Sequence, residues 1–210
     1  ASRSALVGIQ AAASLVLLVV AALLTRGMVR ATQVDVGFDA HRLLTIDPEF
    51  ARGAYDAAGA KTYWTRALER VRALPGVQLV SLAEYPPFSG AFRVTIFGRG
   101  SRRYVIYHND TSAEFFATVG LRAVRGRTYT AAEVADRAPV AVISERLARD
   151  FFSGEDPVGQ SLARVIEGSS AIVIGVVSDA VTARLREMAS AAIYQPMNET
   201  LGAKMIVRSA

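Results

Sequence analysis

From Ala5 to Leu24 the chain reads ALVGIQAAASLVLLVVAALL, twenty residues without one charge. At about 1.5 Å per residue a helix of this length spans roughly 30 Å, the thickness of a bilayer's hydrocarbon core. The stretch predicts a transmembrane helix and a membrane-anchored chain. A soluble core helix would show a polar face at a period near 3.6, whereas only Gln10 and Ser14 are polar here and neither is charged. A cleaved signal peptide would need a shorter apolar region and a small-x-small cleavage site, which Leu23, Leu24, Thr25, Arg26 and Gly27 do not supply. Gln10 and Ser14 share one helical face, and Gly8 with Ala12 forms a small-xxx-small pair. Such residues suit close approach by a neighbouring membrane helix, and equally a lone anchor that tolerates them.

The rest of the chain is long enough to bury one sizeable core or two small ones. A hydrophobic fraction of 51% is raised by the membrane segment, yet Val, Ile, Leu and Phe recur throughout, which argues against disorder. Lys and Arg number 24 against 19 Asp and Glu, a net charge of +5. These cations are spread along the chain, and the dense groups, Arg99, Arg102 and Arg103, then Arg122, Arg125 and Arg127, sit beside glycines without interleaved aromatics. That is a solvated surface, not a nucleic-acid platform. There is no cysteine, hence no disulfide and no thiolate chemistry. Arg3 precedes the apolar helix while Arg26 and Arg30 follow it, so the visible charges taken alone favour a cytoplasmic C-terminal side.

Past the helix, which the pattern carries on through Arg26 to Gln33, Leu43 to Ile46 predicts a short strand ended by Pro48. From about Ala54 to Leu74 the spacing is helical, with Tyr63, Trp64, Ala67, Leu68, Val71 and Leu74 on one face and Lys61, Arg66, Glu69, Arg70 and Arg72 opposite. Pro75 and Gly76 stop it. Val77 to Tyr85 then predicts a second strand, completing a strand-helix-strand unit with a right-handed crossover if the strands pair in parallel. Pro86, Pro87 and Gly90 mark a subdomain boundary. Beyond it Phe92 to Phe97 and Tyr104 to His108 predict a hairpin. Thr111 with Glu114, and Thr130 with Glu133, are capping-box patterns, and Ser144 is a cap for a helix carrying Leu147, Phe151 and Phe152. Val140 to Ile143 predicts a buried strand. Leu162 to Ile166 with Ala171 to Val177 predicts a second hairpin, and Ala192 to Gln195 and Met205 to Val207 further strands. The mixture is that of an α+β domain.

Catalytic parts are isolated. His41 and His108 fall in different predicted subdomains and lack a second ligand at metal spacing, so each reads as a surface or strand-edge residue. Gly98 and Gly100 make only a bare G-x-G, and no phosphate loop occurs. Ser89 and Ser153 each precede glycine, without a nucleophile elbow or a histidine partner. Glu155 and Asp156 lie near one another as an acid–base pair would, but Gly154, Asp156, Pro157 and Gly159 read as turn chemistry, and Asp179 likewise as a strand-closing Asx turn. No catalytic, cofactor-binding or metal-binding residue is assigned, and no cofactor is expected.

Taken in order, several local patterns resemble the periplasmic core domain of MacB-type, FtsX-like ABC transporter permeases. They are VDVGFD at 34–39 with LLT at 43–45, RALPGV at 72–77, FFATVGL at 115–121 with RGR at 125–127, VAVISERLARDFF at 140–152, GEDPVG at 154–159, IGVVSD at 174–179 and IYQP at 193–196. Each is mostly turn and core; the ordered series carries the resemblance over nearly the whole chain. Ser153 stands where the family pattern leads one to expect Pro, and Ser178 where Gly is usual.

The resemblance implies a helix and its extension at 1–33 and the first half of a membrane-proximal subdomain at 34–86. An inserted mixed subdomain follows at 87–192, then a return to the membrane-proximal part at 193–210, with three more membrane helices expected downstream of this fragment. It further implies an inner-membrane permease with the domain outside, against the charges of Arg26 and Arg30. The segment itself is expected to be non-catalytic, ATP hydrolysis residing in a separate or fused ABC ATPase. A second permease copy, membrane lipid and a periplasmic adaptor are the other implied partners, with no nucleic acid. Efflux and mechanotransmission both occur in such families. The rival reading is a membrane-anchored extracytoplasmic sensor or ligand-binding module, and a third is an anchored hydrolase, which lacks a nucleophile constellation.

Overall fold

The computed structural model describes residues 2–32, 37–38, 40–48, 56–99, 102–163, 170–180, 191–198 and 200–210. It divides into two units, 1–35 and 36–210.

The first unit is helix α1 (Ser2–Thr32). Its span Leu6–Val29 is long and apolar enough to cross a membrane, and none of it is buried against protein. An apolar helix that finds no protein to cover it is suited to lipid, where every backbone group is satisfied within the helix.

The second unit is built on one mixed sheet. Its strands are β1 (Leu43–Ile46), β2 (Val77–Ala83), β3 (Arg93–Arg99), β4 (Arg102–Thr111), β5 (Ala123–Gly126), β6 (Val140–Ser144), β7 (Ser161–Ala163), β8 (Ser170–Val177), β9 (Ala192–Pro196) and β10 (Lys204–Ser209). They lie in the order β1-β10-β2-β4-β9-β6-β8-β5, with β3 added to β4 and β7 to β8 as hairpins. The predicted β1–helix–β2 unit forms, but its strands are not neighbours. Strand β10 enters between them, antiparallel to both, so that Leu44 faces Val207 and Val207 faces Val80.

Alternation assigns the two faces of this part. Val80, Leu82, Met205 and Val207 point one way, onto Trp64 and its neighbours Tyr63, Ala67, Leu68 and Val71 of α2 (Ala57–Arg72). Leu74 lies past the helix end and stays exposed. Asp56 caps α2 by accepting from the Gly59 amide at 2.7 Å. Trp64 is only 2% exposed, and its Nε1 donates to the Thr200 carbonyl at 2.8 Å. Ala83 and Ile206 point the other way, onto Phe115, Phe116 and Val119 of α3 (Phe115–Val119). The sheet is thus the middle of three layers there.

Farther along, α5 (Glu145–Phe152) lays Leu147, Phe151 and Phe152 against Phe97, Ile106, Ile143, Val173 and Ile193. Ser144 caps it as the sequence predicts, accepting from the Leu147 amide at 3.2 Å. The Thr130 and Glu133 capping box opens α4 (Ala131–Ala135) with both reciprocal bonds present. The other expected box does not form. Thr111 belongs to β4 and its hydroxyl is hydrogen-bonded to the Tyr129 phenol, while α3 begins after Glu114 without any side-chain cap. A buried phenol needs a partner, and the tertiary contact takes the hydroxyl that the local pattern would have used.

Candidate functional site

Strand β4 places Ile106, His108 and Asp110 on one face, because side chains alternate. Opposite them in the antiparallel ladder, β3 places Thr95 against Ile106 and Arg93 against His108. Ile106 belongs to the core, and its neighbours down the strand carry the same inward face past the end of the apolar packing. A polar cluster results where β2 runs into Glu84.

His108 is 2% exposed, so the strand-edge expectation for it is overturned. Its Nε2 lies 2.9 Å from Asp110 Oδ1 and its Nδ1 lies 3.0 Å from the Thr95 hydroxyl. A carboxylate can only accept, so Nε2 donates, and in the neutral ring Nδ1 then accepts from Thr95. The other Asp110 oxygen accepts from Arg93 Nη2 at 2.8 Å, and Glu84 Oε2 lies 3.1 Å from the same nitrogen as an ion pair without hydrogen-bond alignment. Arg93 Nε is shielded from water and has no acceptor among the described residues. Burial pushes the Asp110 carboxyl up, yet the hydrogen bonds from His108 and Arg93, with the Arg93 charge, outweigh it and hold it below the ordinary value. Burial likewise works against the Arg93 charge, and Asp110 and Glu84 more than restore it. Beside them the Tyr85 phenol is raised by burial and by Glu84.

This cluster forms one wall of a groove of about 590 Å³, whose other sides include Arg137, Pro139, Ser170, Gln195, Asn198 and Leu201. Arg137 follows α4 with φ of 52°, a left-handed conformation uncommon for a side chain of its size. The groove therefore joins residues adjoining β2 and β10 to residues adjoining β6 and β8. It offers charges of both signs and amide groups, a lining suited to a polar polypeptide segment. Thr95, His108 and Asp110 stand in hydroxyl–imidazole–carboxylate order, and the imidazole between them is buried and does not line the groove.

The residues weighed for chemistry in the sequence serve structural roles. Ser89 Oγ donates to the Ala91 carbonyl and Ser153 ends α5 with φ of 52°. Asp156 accepts from the Val158 amide in a turn. Asp179 departs from its expected Asx turn. Its carboxylate accepts from the Arg146 amide and from Arg149 Nη2, both at 2.6 Å, and so stabilises the N-terminal turn of α5 from another element. His41 falls in the 3-10 turn Ala40–Arg42, its side chain outside the described ones. Among the described residues no three His, Asp or Glu side chains converge as a metal site would require. Two roles escaped the sequence because their partners are remote: the Arg93 cluster, and Arg208, whose guanidinium donates to the Thr118 and Val119 carbonyls at the end of α3.

Among the described residues one apolar helix precedes an α+β domain on a mixed sheet, the make-up of a membrane-anchored domain. Residues 9–209 match the MacB-like periplasmic core domain, and the chain belongs to that family, whose domain is carried by ABC-type transporter permeases. The fold is similar to the periplasmic region of MacB from Actinobacillus actinomycetemcomitans, with 17% identity over 86% of this chain and 80% of that one and a TM-score of 0.56. It is also similar to the extracellular domain of the noncanonic ABC-type transporter YknZ from Gram-positive bacteria, at 16% identity over 80% of this chain and 81% of that one, TM-score 0.52. No curated protein matches the chain.

Proposed function

We propose that this chain is the first membrane helix and the extracytoplasmic domain of an ABC permease, seated in the inner membrane, where the domain converts ATP-driven motion into work on a partner or an exported substrate. The observation that carries this reading is the return of β10 to the domain's entry. Leu43, where β1 begins, pairs with Arg208 near the end of β10, and the Ser209 hydroxyl donates to the Arg42 carbonyl at 3.5 Å. A late strand that comes back beside the entry strand suits a domain inserted between two membrane helices.

In this reading β1, α2, β2 and β10 belong to the membrane-proximal subdomain and β3 to β8 to the inserted one, with β9 lying at the expected boundary between 192 and 193. The two meet where β2 runs beside β4, at the pair Ala83 and Thr111 and the flanking Ser112–Leu82 and Glu84–Asp110 backbone bonds, and where Ala83, Ile206 and Arg208 pack on α3, with the polar groove alongside. Motion of one part against the other would have to displace these contacts. The ATPase would be a separate or fused subunit, with a second permease copy completing the transporter and an adaptor as a further partner. Efflux of a substrate and transmission of a mechanical signal both fit.

The chain has no cysteine, so one introduced at Val105, 66% exposed on β4, gives a unique label site. In intact cells with a permeabilised outer envelope, Val105→Cys should react with a membrane-impermeant maleimide. Labelling only after the inner membrane is disrupted would place the domain in the cytoplasm and overturn the reading.

A further inference from the structure

Gly37 and Phe38 are the first described residues after α1, and each touches a different part of the domain. The Phe38 ring stacks on Phe88, centroids 5.9 Å apart and planes 25° from parallel. Phe88 lies in the loop from β2 to β3, within a turn closed by the Ser89 amide donating to the Pro86 carbonyl at 3.2 Å. Pro87 fixes the second position of that turn, and Phe88 follows with φ of 59°. This is the type II arrangement, whose third position calls for glycine or asparagine. A phenylalanine there is strained, and such strain persists only where other contacts hold it. Gly37, with φ of 80°, is pressed against the Asp179 backbone so closely that a Cβ would lie 2.5 Å from the Asp179 carbonyl oxygen. That same Asp179 holds the first turn of α5 through the Arg146 amide.

We propose that Gly37 and Phe38 form a latch that fastens the chain leaving the membrane helix to the Pro86–Ser89 turn and to the backbone at Asp179, the strained Phe88 being retained because its ring is the catch. Two consecutive residues thus tie the entry of the domain to the loop joining β2 and β3 and to the cap of α5. The transporter reading gives the latch its use: a pull on the entry chain would be felt at the Pro86–Ser89 turn and at Asp179. The latch itself is an intramolecular contact that can be tested without an ATPase, so its failure and the failure of that reading are separately visible.

Hydrogen exchange of the full chain in detergent micelles, read by mass spectrometry over 84–92, tests it. An aromatic pair of this kind shifts an opening equilibrium by about 2- to 12-fold, so Phe38→Ala should speed exchange of the segment by that factor, while Phe38→Tyr keeps it protected. Phe88→Gly separates the latch from a plain turn. Glycine relieves the backbone strain, so a turn without a latch would exchange more slowly in that variant, whereas loss of the catch makes it exchange faster. Unchanged exchange in Phe38→Ala, slower exchange in Phe88→Gly, or a rise shared equally by core strand β6, would each overturn the latch.

Discussion

Arg208→Ala should destabilise the domain by an amount that the geometry sets. Helix α3 has five residues, and its last carbonyls have no partners within the helix. Arg208 reaches from β10 to two of them, with Nε donating to Thr118 at 2.6 Å and Nη2 to Val119 at 2.9 Å. Hydrogen bonds from a charged donor contribute about 1.5 to 3 kcal/mol each, and a cation at a helix C-terminus adds about 0.3 to 1 kcal/mol. Arg208 is half-buried, so solvent screening trims the sum, and a loss of about 2 to 4 kcal/mol is expected on truncation. For a unit spanning 36–210 this corresponds to a fall in Tm of roughly 4 to 16 °C. Trp64 is the sole tryptophan and is buried against Met205 and Val207 on the other face of the same sheet, so its fluorescence reports unfolding directly. Arg208→Lys retains the charge without the two-pronged geometry and should fall between the two. A loss below about 0.5 kcal/mol for Arg208→Ala, or equal losses for Ala and Lys, would refute the argument that the guanidinium fork caps α3.

Two further outcomes follow from local chemistry. Hydrogen bonds from Arg127 and from the Thr130 amide hold the Glu133 carboxyl down to about 2. Because its folded value lies below its unfolded one, its stabilising contribution is complete above about pH 4.5 and is lost as pH falls toward 2. An NMR titration of Glu133 should show that low midpoint and its rise in Arg127→Ala; a midpoint in the ordinary carboxylate range would contradict the capping geometry. Ser144 Oγ accepts from both the Leu147 amide at 3.2 Å and the Ala192 amide at 3.0 Å. Ser144→Ala strands two buried donors and should cost about 1 to 3 kcal/mol in urea unfolding, and a cost of only a few tenths would mean that water or another acceptor reaches them.

What the sequence by itself determined is whatever a short window can encode. The uncharged run of α1, the apolar face of α2 centred on Trp64, the caps at Thr130 and Ser144, and the hairpins near Gly98 and between β7 and β8 follow from periodicity, turn residues and side chains that reach their own backbone. The ordered motifs added the family. Tertiary structure alone decided where those pieces went. Strand β10 lies more than a hundred residues from either neighbour, and nothing near Lys204 or Leu43 encodes that it will part β1 from β2. Thr111, Asp179 and Arg208 each have a plausible local use, and each is claimed by a partner remote in sequence: Tyr129, the Arg146 amide and the carbonyls of α3. His108 looked like a strand-edge residue until the β3–β4 ladder set Thr95 and Asp110 around it. The physical reason is common to all four. A buried polar group must be satisfied, and the group that satisfies it is chosen by which strands the fold brings together.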